Sequence, residues 1–260
     1  MITEITGRNN LFIYGRIRPL SNVELECINN QESRIYKASS YYLINEYECL
    51  KISEGNDKII ELYPPNDEEI KDREPISFEL HGSINSDVKS IYDHLSIGNS
   101  LIQNSLILNG SSTFIAYGQT GSGKTYSSLD IIKYVGENLL EKRLTFELSV
   151  YELKNEKCFD LINVNNKTAL SIYESNSGKI LINASSVNIV DKIHLNEVLN
   201  ESFSNRTTKA TSANNSSSRS HCFYRYHIKN TEGQVYKFYS FPTYKCNDIS
   251  GCNIIVSNEI

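Results

Sequence analysis

A glycine-rich segment at residues 118–125 constrains this chain more than any other feature. It reads G-Q-T-G-S-G-K-T and directly follows 112–117, an apolar run that is typical of a β-strand. The residues after it have apolar side chains at helical spacing: Leu129, Ile132, Val135, Leu139 and Leu140. Strand, loop and helix therefore occur in the order required by the phosphate-binding motif G-x-x-x-x-G-K-[ST]. The chain is predicted to bind a nucleoside triphosphate.

The residues of this loop have separate expected roles. Three glycines allow the backbone to curl around phosphate groups without a clash from Cβ. Lys124 is expected to reach the β- and γ-phosphates, and the Thr125 hydroxyl to coordinate Mg²⁺. The positive end of the following helix adds to this anion site. The predicted phosphate-binding residues are Gly118, Gln119, Thr120, Gly121, Ser122, Gly123, Lys124 and Thr125.

Composition and charge argue against several other classes of protein. The chain has 260 residues, of which 39% are hydrophobic and 22% charged, values typical of a globular domain. Its net charge of −5 argues against general nucleic-acid binding, which needs a basic surface. No apolar run is long enough to span a membrane, and residues 1–10 are too polar for a secretory signal. Because its cysteines include no C-x-x-C pair, we interpret them as reduced thiols and expect a cytoplasmic protein.

Apolar patterns elsewhere predict further strands and helices. Strands are expected at 11–14, 76–78, 112–117, 144–153, 221–229 and 234–241, with short strands within 35–63 and 170–190 and an extended piece or turn at 156–163. Helices are expected after the phosphate loop, at 194–204 and, as a broken pair, within 87–108. These elements predict an α/β fold in which a central, mostly parallel sheet has helices on both faces.

A second motif points to a particular family. Residues 214–221 read N-N-S-S-S-R-S-H, and a Ser/Asn run alone is typical of a flexible loop. Here the run matches N-x-x-S-S-R-S-H, which resembles the first switch of the kinesin motor family. The phosphate loop with its A-Y-G-Q-T prefix, the R-I-R-P segment at 16–19 and the segment 149–162 also resemble that family. The resemblance covers about residues 11–229, and it implies a P-loop NTPase fold of the kinesin type.

The resemblance implies an adenine pocket beside the phosphate loop. Arg16, Arg18 and Pro19 would border the adenine. Tyr126, which directly follows the loop, would stack on the base, as a flat aromatic ring is able to do. The bound nucleotide would then be ATP together with Mg²⁺.

The resemblance also implies roles in hydrolysis. Ser218 would hold Mg²⁺ together with Thr125, and Ser217 would position the attacking water. Arg219 would form a salt bridge with a glutamate of the second switch. Catalysis of phosphoryl transfer to water depends mainly on such positioning and charge stabilisation. The implied function is a microtubule-stimulated ATPase that drives microtubule-based movement, with tubulin and another kinesin chain as partners and the cytoskeleton as location.

The second switch departs from the family pattern D-L-A-G-S-E, and two alignments remain open. In the first, 235–241 is the strand before the switch, and Pro242 stands where the aspartate belongs. In the second, 248–251 supplies D-x-x-G, so that Asp248 would be a metal ligand and Asn253 would replace the glutamate. The spacing from His221 favours the second. In both, Arg219 lacks its carboxylate, so we expect slow or absent hydrolysis.

The domain organisation is expected to be one partial kinesin motor domain over residues 1–260, with an atypical tail at 241–260 and without the C-terminal part of the motor core. Two other functions remain open. One is a non-enzymatic nucleotide-binding module that partners an active kinesin. The other is an unrelated P-loop ATPase or GTPase, against which the switch-like motif argues.

Overall fold

The computed structural model describes residues 11–18, 50–62, 74–84, 111–118, 122–154, 156–163, 165, 168–176, 180–208, 220–229, 235–242 and 252–259. Two helices lie in these ranges, α1 (Lys124–Glu141) and α2 (Lys192–Thr208). The strands are β1 (Leu11–Ile17), β2 (Leu50–Ile52), β3 (Ile59–Leu62), β4 (Ile76–Glu79), β5 (Gly82–Ile84), β6 (Ser111–Tyr117), β7 (Thr145–Lys154), β8 (Lys157–Asp160), β9 (Ile172–Glu174), β10 (Ile180–Ile182), β11 (Val187–Ile189), β12 (Ser220–Lys229), β13 (Val235–Pro242) and β14 (Cys252–Glu259).

A nine-stranded sheet organises the described residues. Its order is β11-β7-β12-β13-β6-β14-β1-β5, and β8 pairs with β7 outside this path. Only β13 with β6 and β1 with β5 are parallel among these described pairs, so the expectation of a mostly parallel sheet is wrong. The physical reason is that short connections, such as those between β7 and β8 and between β12 and β13, join neighbouring strands only as antiparallel hairpins.

The core lies between this sheet and the two helices. α1 packs on β6, β7 and β13, and it also contacts α2. The helices approach closely at Gly136, where a Cβ atom would lie 2.6 Å from the Leu195 Cδ2 atom. The hydroxyl of Tyr226 on β12 donates a hydrogen bond to the Ile132 carbonyl of α1 at 2.8 Å. The largest fully buried side chains are Phe114, Ile131, Ile132, Leu139, Phe146, Leu148, Tyr224 and Tyr226.

Most of the element predictions are confirmed within the described ranges. The strands at 11–14, 76–78, 112–117 and 144–153, the helix after the loop and the hairpin of β12 and β13 are present. The helix predicted at 194–204 is longer, since it runs from Lys192 to Thr208. The helical pair predicted within 87–108 lies outside the described residues, so helices on the second face of the sheet stay a prediction.

The predicted tail at 241–260 contains a strand. β14 lies between β6 and β1 and is antiparallel to both. Two smaller sheets accompany the central one, β2-β3-β4 and β10-β9. Neither α1 nor α2, the helices within the described ranges, is apolar enough over a sufficient length to cross a membrane.

Candidate nucleotide-binding site

The junction between the glycine-rich loop and α1 has the backbone geometry of an anion site. Gly123, the residue before the first helical turn, adopts φ 88° and ψ 19°, a left-handed conformation that favours glycine. It has no side chain to cap the helix, and the first turn of α1 contains no acidic residue. Unpaired N–H groups at the start of a helix attract anions. A phosphate group therefore fits this end of α1.

Lys124 adds a cation at the same point. It is the first residue of α1 and is half-buried, and burial lowers the pKa of its ammonium group below the usual value. Desolvation lowers a lysine pKa because it disfavours the charged form. An anionic ligand beside Lys124 would offset that cost, which suits a residue predicted to contact phosphates. Thr125, the candidate Mg²⁺ ligand, follows in the same helical turn and is also half-buried.

Arg16 connects the predicted adenine pocket to this junction. Its side chain is only 2% exposed although it carries a charge. Its Nη1 atom donates a hydrogen bond to Ser127 Oγ at 3.3 Å, and its Cζ atom lies 5.7 Å from the centre of the Tyr126 ring. Ser127 Oγ in turn donates to the Gly123 carbonyl at 3.1 Å. The guanidinium is thereby fixed beside both the aromatic ring and the last glycine of the loop.

The outer part of this pocket is accessible. The Tyr126 side chain is 57% exposed, so a planar base is able to reach its ring. Arg18 lies just after β1 and is half-buried, whereas Pro19 lies outside the described residues. Ser127 was missed by the sequence reasoning. Its position one helical turn after Gly123 is the signal that would have placed its hydroxyl toward the loop.

The remaining predicted site residues are divided between described and undescribed segments. Gly118 and Ser122 belong to the loop and are buried. The structure brings together Arg16, the last glycine of the loop and the first turn of α1. The predicted residues outside the described ranges are Gln119, Thr120, Gly121, Ser217, Ser218, Arg219 and Asp248. Their roles stay predictions.

The strand beside the phosphate-loop strand bears on the second switch. β13 runs parallel to β6, and Pro242 pairs in register with Ala116 near the end of β6. The strand of the first alignment is thus present in the sheet, whereas residues 243–251, on which the second alignment depends, lie outside the described residues. Proline offers neither a backbone N–H nor a side-chain oxygen at this position. In the described part of the chain, no three side chains of His, Cys, Asp or Glu come together as a metal site.

Comparisons with known proteins agree with this geometry. The family model described as "Kinesin motor domain" matches residues 16–240. Kinesin-related protein 4 of Dictyostelium discoideum is 32% identical over 166 residues, which cover 57% of this chain and 8% of that protein. Kinesin-like protein KIN-1 of Oryza sativa subsp. japonica is 34% identical over 143 residues, covering 47% of this chain and 29% of the relative.

A longer match extends over more of the chain. Kinesin heavy chain isoform 5A of Mus musculus is 26% identical over 218 residues, covering 77% of this chain and 20% of the relative. The matched part amounts to between 8% and 29% of the length of these curated relatives. Because the family model covers most of the sequence, the chain belongs to the kinesin motor domain family.

Proposed function

We propose that the chain binds Mg·ATP at the junction of β6 and α1 and acts as a kinesin-type microtubule motor domain with slow ATP hydrolysis. The observation that carries this proposal is the Arg16 cluster, because it ties the predicted adenine pocket to the last glycine of the phosphate loop. An isolated glycine-rich turn would not be accompanied by a buried arginine and an exposed aromatic ring at the head of its helix.

The nucleotide would be held by three groups of atoms. The N–H groups at the start of α1 and the Lys124 ammonium would bind the phosphates. Thr125 would provide a hydroxyl ligand for Mg²⁺, with Ser218 as the second family ligand, and phosphate oxygens would complete the coordination. The base would stack on Tyr126 next to Arg16. Bound Mg²⁺ would neutralise phosphate charge.

Microtubule binding is proposed from family membership. The relatives carry kinesin names. By the resemblance to that family, the switch segments would couple the state of the γ-phosphate to a track-binding face. We therefore propose tubulin as the partner, a second kinesin chain as a further partner, and a cytoskeletal location in the cytoplasm.

Slow hydrolysis is proposed from the end of β13. P-loop ATPases place an aspartate for Mg²⁺ at the end of the strand beside the phosphate-loop strand. Here that strand ends with Pro242, which has no side-chain oxygen to offer as a ligand. The same observation favours a second candidate function, a nucleotide-binding partner chain that does not hydrolyse ATP. Asp248 remains the alternative ligand under the second alignment.

Nucleotide binding is tested by thermal denaturation with and without Mg·ATP. A ligand at about 100 times its Kd stabilises the native state by about 2.7 kcal/mol, so the Tm should rise by several degrees. Lys124→Ala should abolish the rise. Lys133→Ala is the matched control, because Lys133 lies on the same helix with its side chain 47% exposed. An equal rise in the Lys124 variant, or no rise in the wild type, would refute the binding site.

Hydrolysis and track binding need separate measurements. Single-turnover phosphate release, with and without microtubules, should be slow but measurable, and the chain should co-sediment with microtubules. Binding of Mg·ATP without any turnover would favour the second candidate function. Asp248→Asn distinguishes the two alignments, since only the second predicts a weaker Mg²⁺ dependence of nucleotide binding in this variant.

A further inference from the structure

A buried charged cluster joins β7, α2 and β12, elements that contain none of the nucleotide contacts described above. Its members are Glu152 of β7, Arg206 in the last turn of α2 and Ser220, the first residue of β12. The three side chains are only 4%, 6% and 6% exposed. Ser220 Oγ donates to Glu152 Oε1 at 2.6 Å, and Arg206 Nε donates to the same oxygen at 3.4 Å.

The position of these contacts in the chain is informative. Arg206 and Ser220 flank residues 207–219, which include Ser217 and Arg219, the residues predicted to position water and to meet the second switch. One carboxylate oxygen of Glu152 therefore contacts both flanks of that connection. Asn205, next to Arg206, also donates through Nδ2 to the Leu161 carbonyl at 2.9 Å. The end of α2 is thus attached to the sheet region at two neighbouring residues.

Strand pairing fixes Glu152 against the start of β12. Ser220 pairs in register with Lys154, and Cys222 pairs with Glu152 itself, so β12 begins directly beside the carboxylate. A buried carboxylate and guanidinium are tolerated only when each is paired, because an unpaired buried charge is strongly unfavourable. The three side chains therefore have to come together as a unit. Because Arg206 and Ser220 contact the same Glu152 oxygen, the cluster also fixes the distance between these two residues.

We propose that Glu152 is a positioning residue for ATP turnover, which it serves by fixing both flanks of residues 207–219 through Arg206 and Ser220. The inference rests on the proposed function. Because Arg219 is covalently joined to Ser220, fixing Ser220 restricts the positions that are open to the Arg219 backbone. Small errors in the placement of groups that act on reacting atoms cause large losses of rate. The phosphates and the base would be held by the loop after β6, α1 and Arg16, which share none of the hydrogen bonds described for the cluster, so a displaced Ser218 would remove one Mg²⁺ contact and leave most of the nucleotide affinity.

The test separates turnover from binding in the full chain. Ser220→Ala removes one hydrogen bond and leaves the ion pair between Arg206 and Glu152 in place, so folding is expected to survive. We expect its single-turnover phosphate release to fall about tenfold, with the Kd for Mg·ATP changed less than about threefold. Glu152→Gln, which removes the charge, should give a larger loss of rate. Ser220→Thr keeps the hydroxyl group and should therefore retain most of the wild-type rate of phosphate release.

A matched control excludes a general effect of losing a buried serine. Ser202 of α2 is 1% exposed, and its Oγ donates to the Val198 carbonyl at 2.7 Å. Ser202→Ala should leave turnover within about twofold of the wild type, an effect far smaller than that expected for a misplaced reacting group. Equal effects of Ser202→Ala and Ser220→Ala, or parallel losses of rate and affinity, would overturn the inference. A wild type that binds Mg·ATP but never turns it over would also overturn it, while leaving the binding proposal intact.

Discussion

Two adjacent serines of α1 provide the sharpest test of the structure. Ser127 and Ser128 are both fully buried, at 0% exposure. Ser127 Oγ accepts a hydrogen bond from Arg16 and donates one to the Gly123 carbonyl. Ser128 Oγ, by contrast, has no hydrogen-bond partner among the described residues. Replacement of each by alanine should therefore change the free energy of unfolding in opposite directions.

The magnitudes follow from what each hydroxyl contributes. Alanine has a higher helix propensity than serine by about 0.5 kcal/mol, which favours both variants equally. Ser128→Ala also removes a buried unsatisfied hydroxyl, so we expect a net gain of about 1 kcal/mol after some loss of packing. Ser127→Ala breaks a hydrogen bond to a buried guanidinium, worth about 1.5–3 kcal/mol, and a weaker one to a carbonyl. Its expected net loss is about 2 kcal/mol.

Urea and thermal denaturation of the wild type and both variants measure the difference. For a domain of this size, about 1 kcal/mol corresponds to a Tm change of about 2–4 °C, so the two variants should differ by roughly 6–12 °C. Ser127→Ala should also weaken Mg·ATP binding, because Arg16 loses a contact that fixes it beside Tyr126. If Ser128→Ala were as destabilising as Ser127→Ala, the hydroxyl of Ser128 would have a partner in solution and the reasoning would fail.

Three further predictions concern other parts of the core. Asp160→Ala should lower the free energy of unfolding by about 3 kcal/mol in urea denaturation, because its carboxylate accepts hydrogen bonds from three backbone N–H groups. Gly136→Ala should lower stability by about 1–3 kcal/mol by thermal denaturation, despite the better helix propensity of alanine, because the added Cβ would lie 2.6 Å from a Leu195 methyl group. Burial raises the pKa of the Cys158 and Cys222 thiols from 9.0 to about 11. The free energy of unfolding should therefore keep the full contribution of these neutral thiols below pH 9 and should fall as the pH rises toward 11. Unfolding measured at pH 8, 9.5 and 11 would contradict this last prediction if the stability did not change.

Local patterns explain why so much of the fold was predictable from the sequence. The glycine-rich loop, the apolar face of α1 and the hairpin of β12 and β13 each depend on residues that are close in the chain. Strand direction depends instead on which distant segments meet, and here the prediction of a mostly parallel sheet was wrong. β14 illustrates the same limit, since nothing local in 252–259 indicates insertion between β6 and β1.

The candidate site divides in the same way. Motifs identified the individual residues of the phosphate loop and Arg16, but the hydrogen bond from Arg16 to Ser127 joins positions 111 residues apart. The contact between Glu152 and Ser220 joins positions 68 residues apart. Neither pair has a local sequence signal, because both depend on the order of strands in the sheet. The residue types were therefore predictable, whereas their partners required the fold.

Under the proposed function, the arrangement of strands would make nucleotide binding and hydrolysis separable in this chain. Apart from Ser218, the groups proposed to hold Mg·ATP belong to β1, the loop after β6 and the first turn of α1, and the hydrogen bonds from Arg16 to Ser127 and from Ser127 to Gly123 join β1 to α1. Under the first alignment, the group that should order Mg²⁺ for hydrolysis would belong at the end of β13, on a different strand, where Pro242 stands. A proline there does not disturb the Arg16 cluster, because β14 and β6 lie between β13 and β1. Loss of the oxygen ligand is therefore expected to slow turnover while leaving nucleotide affinity intact, a combination that a defect in folding would not produce.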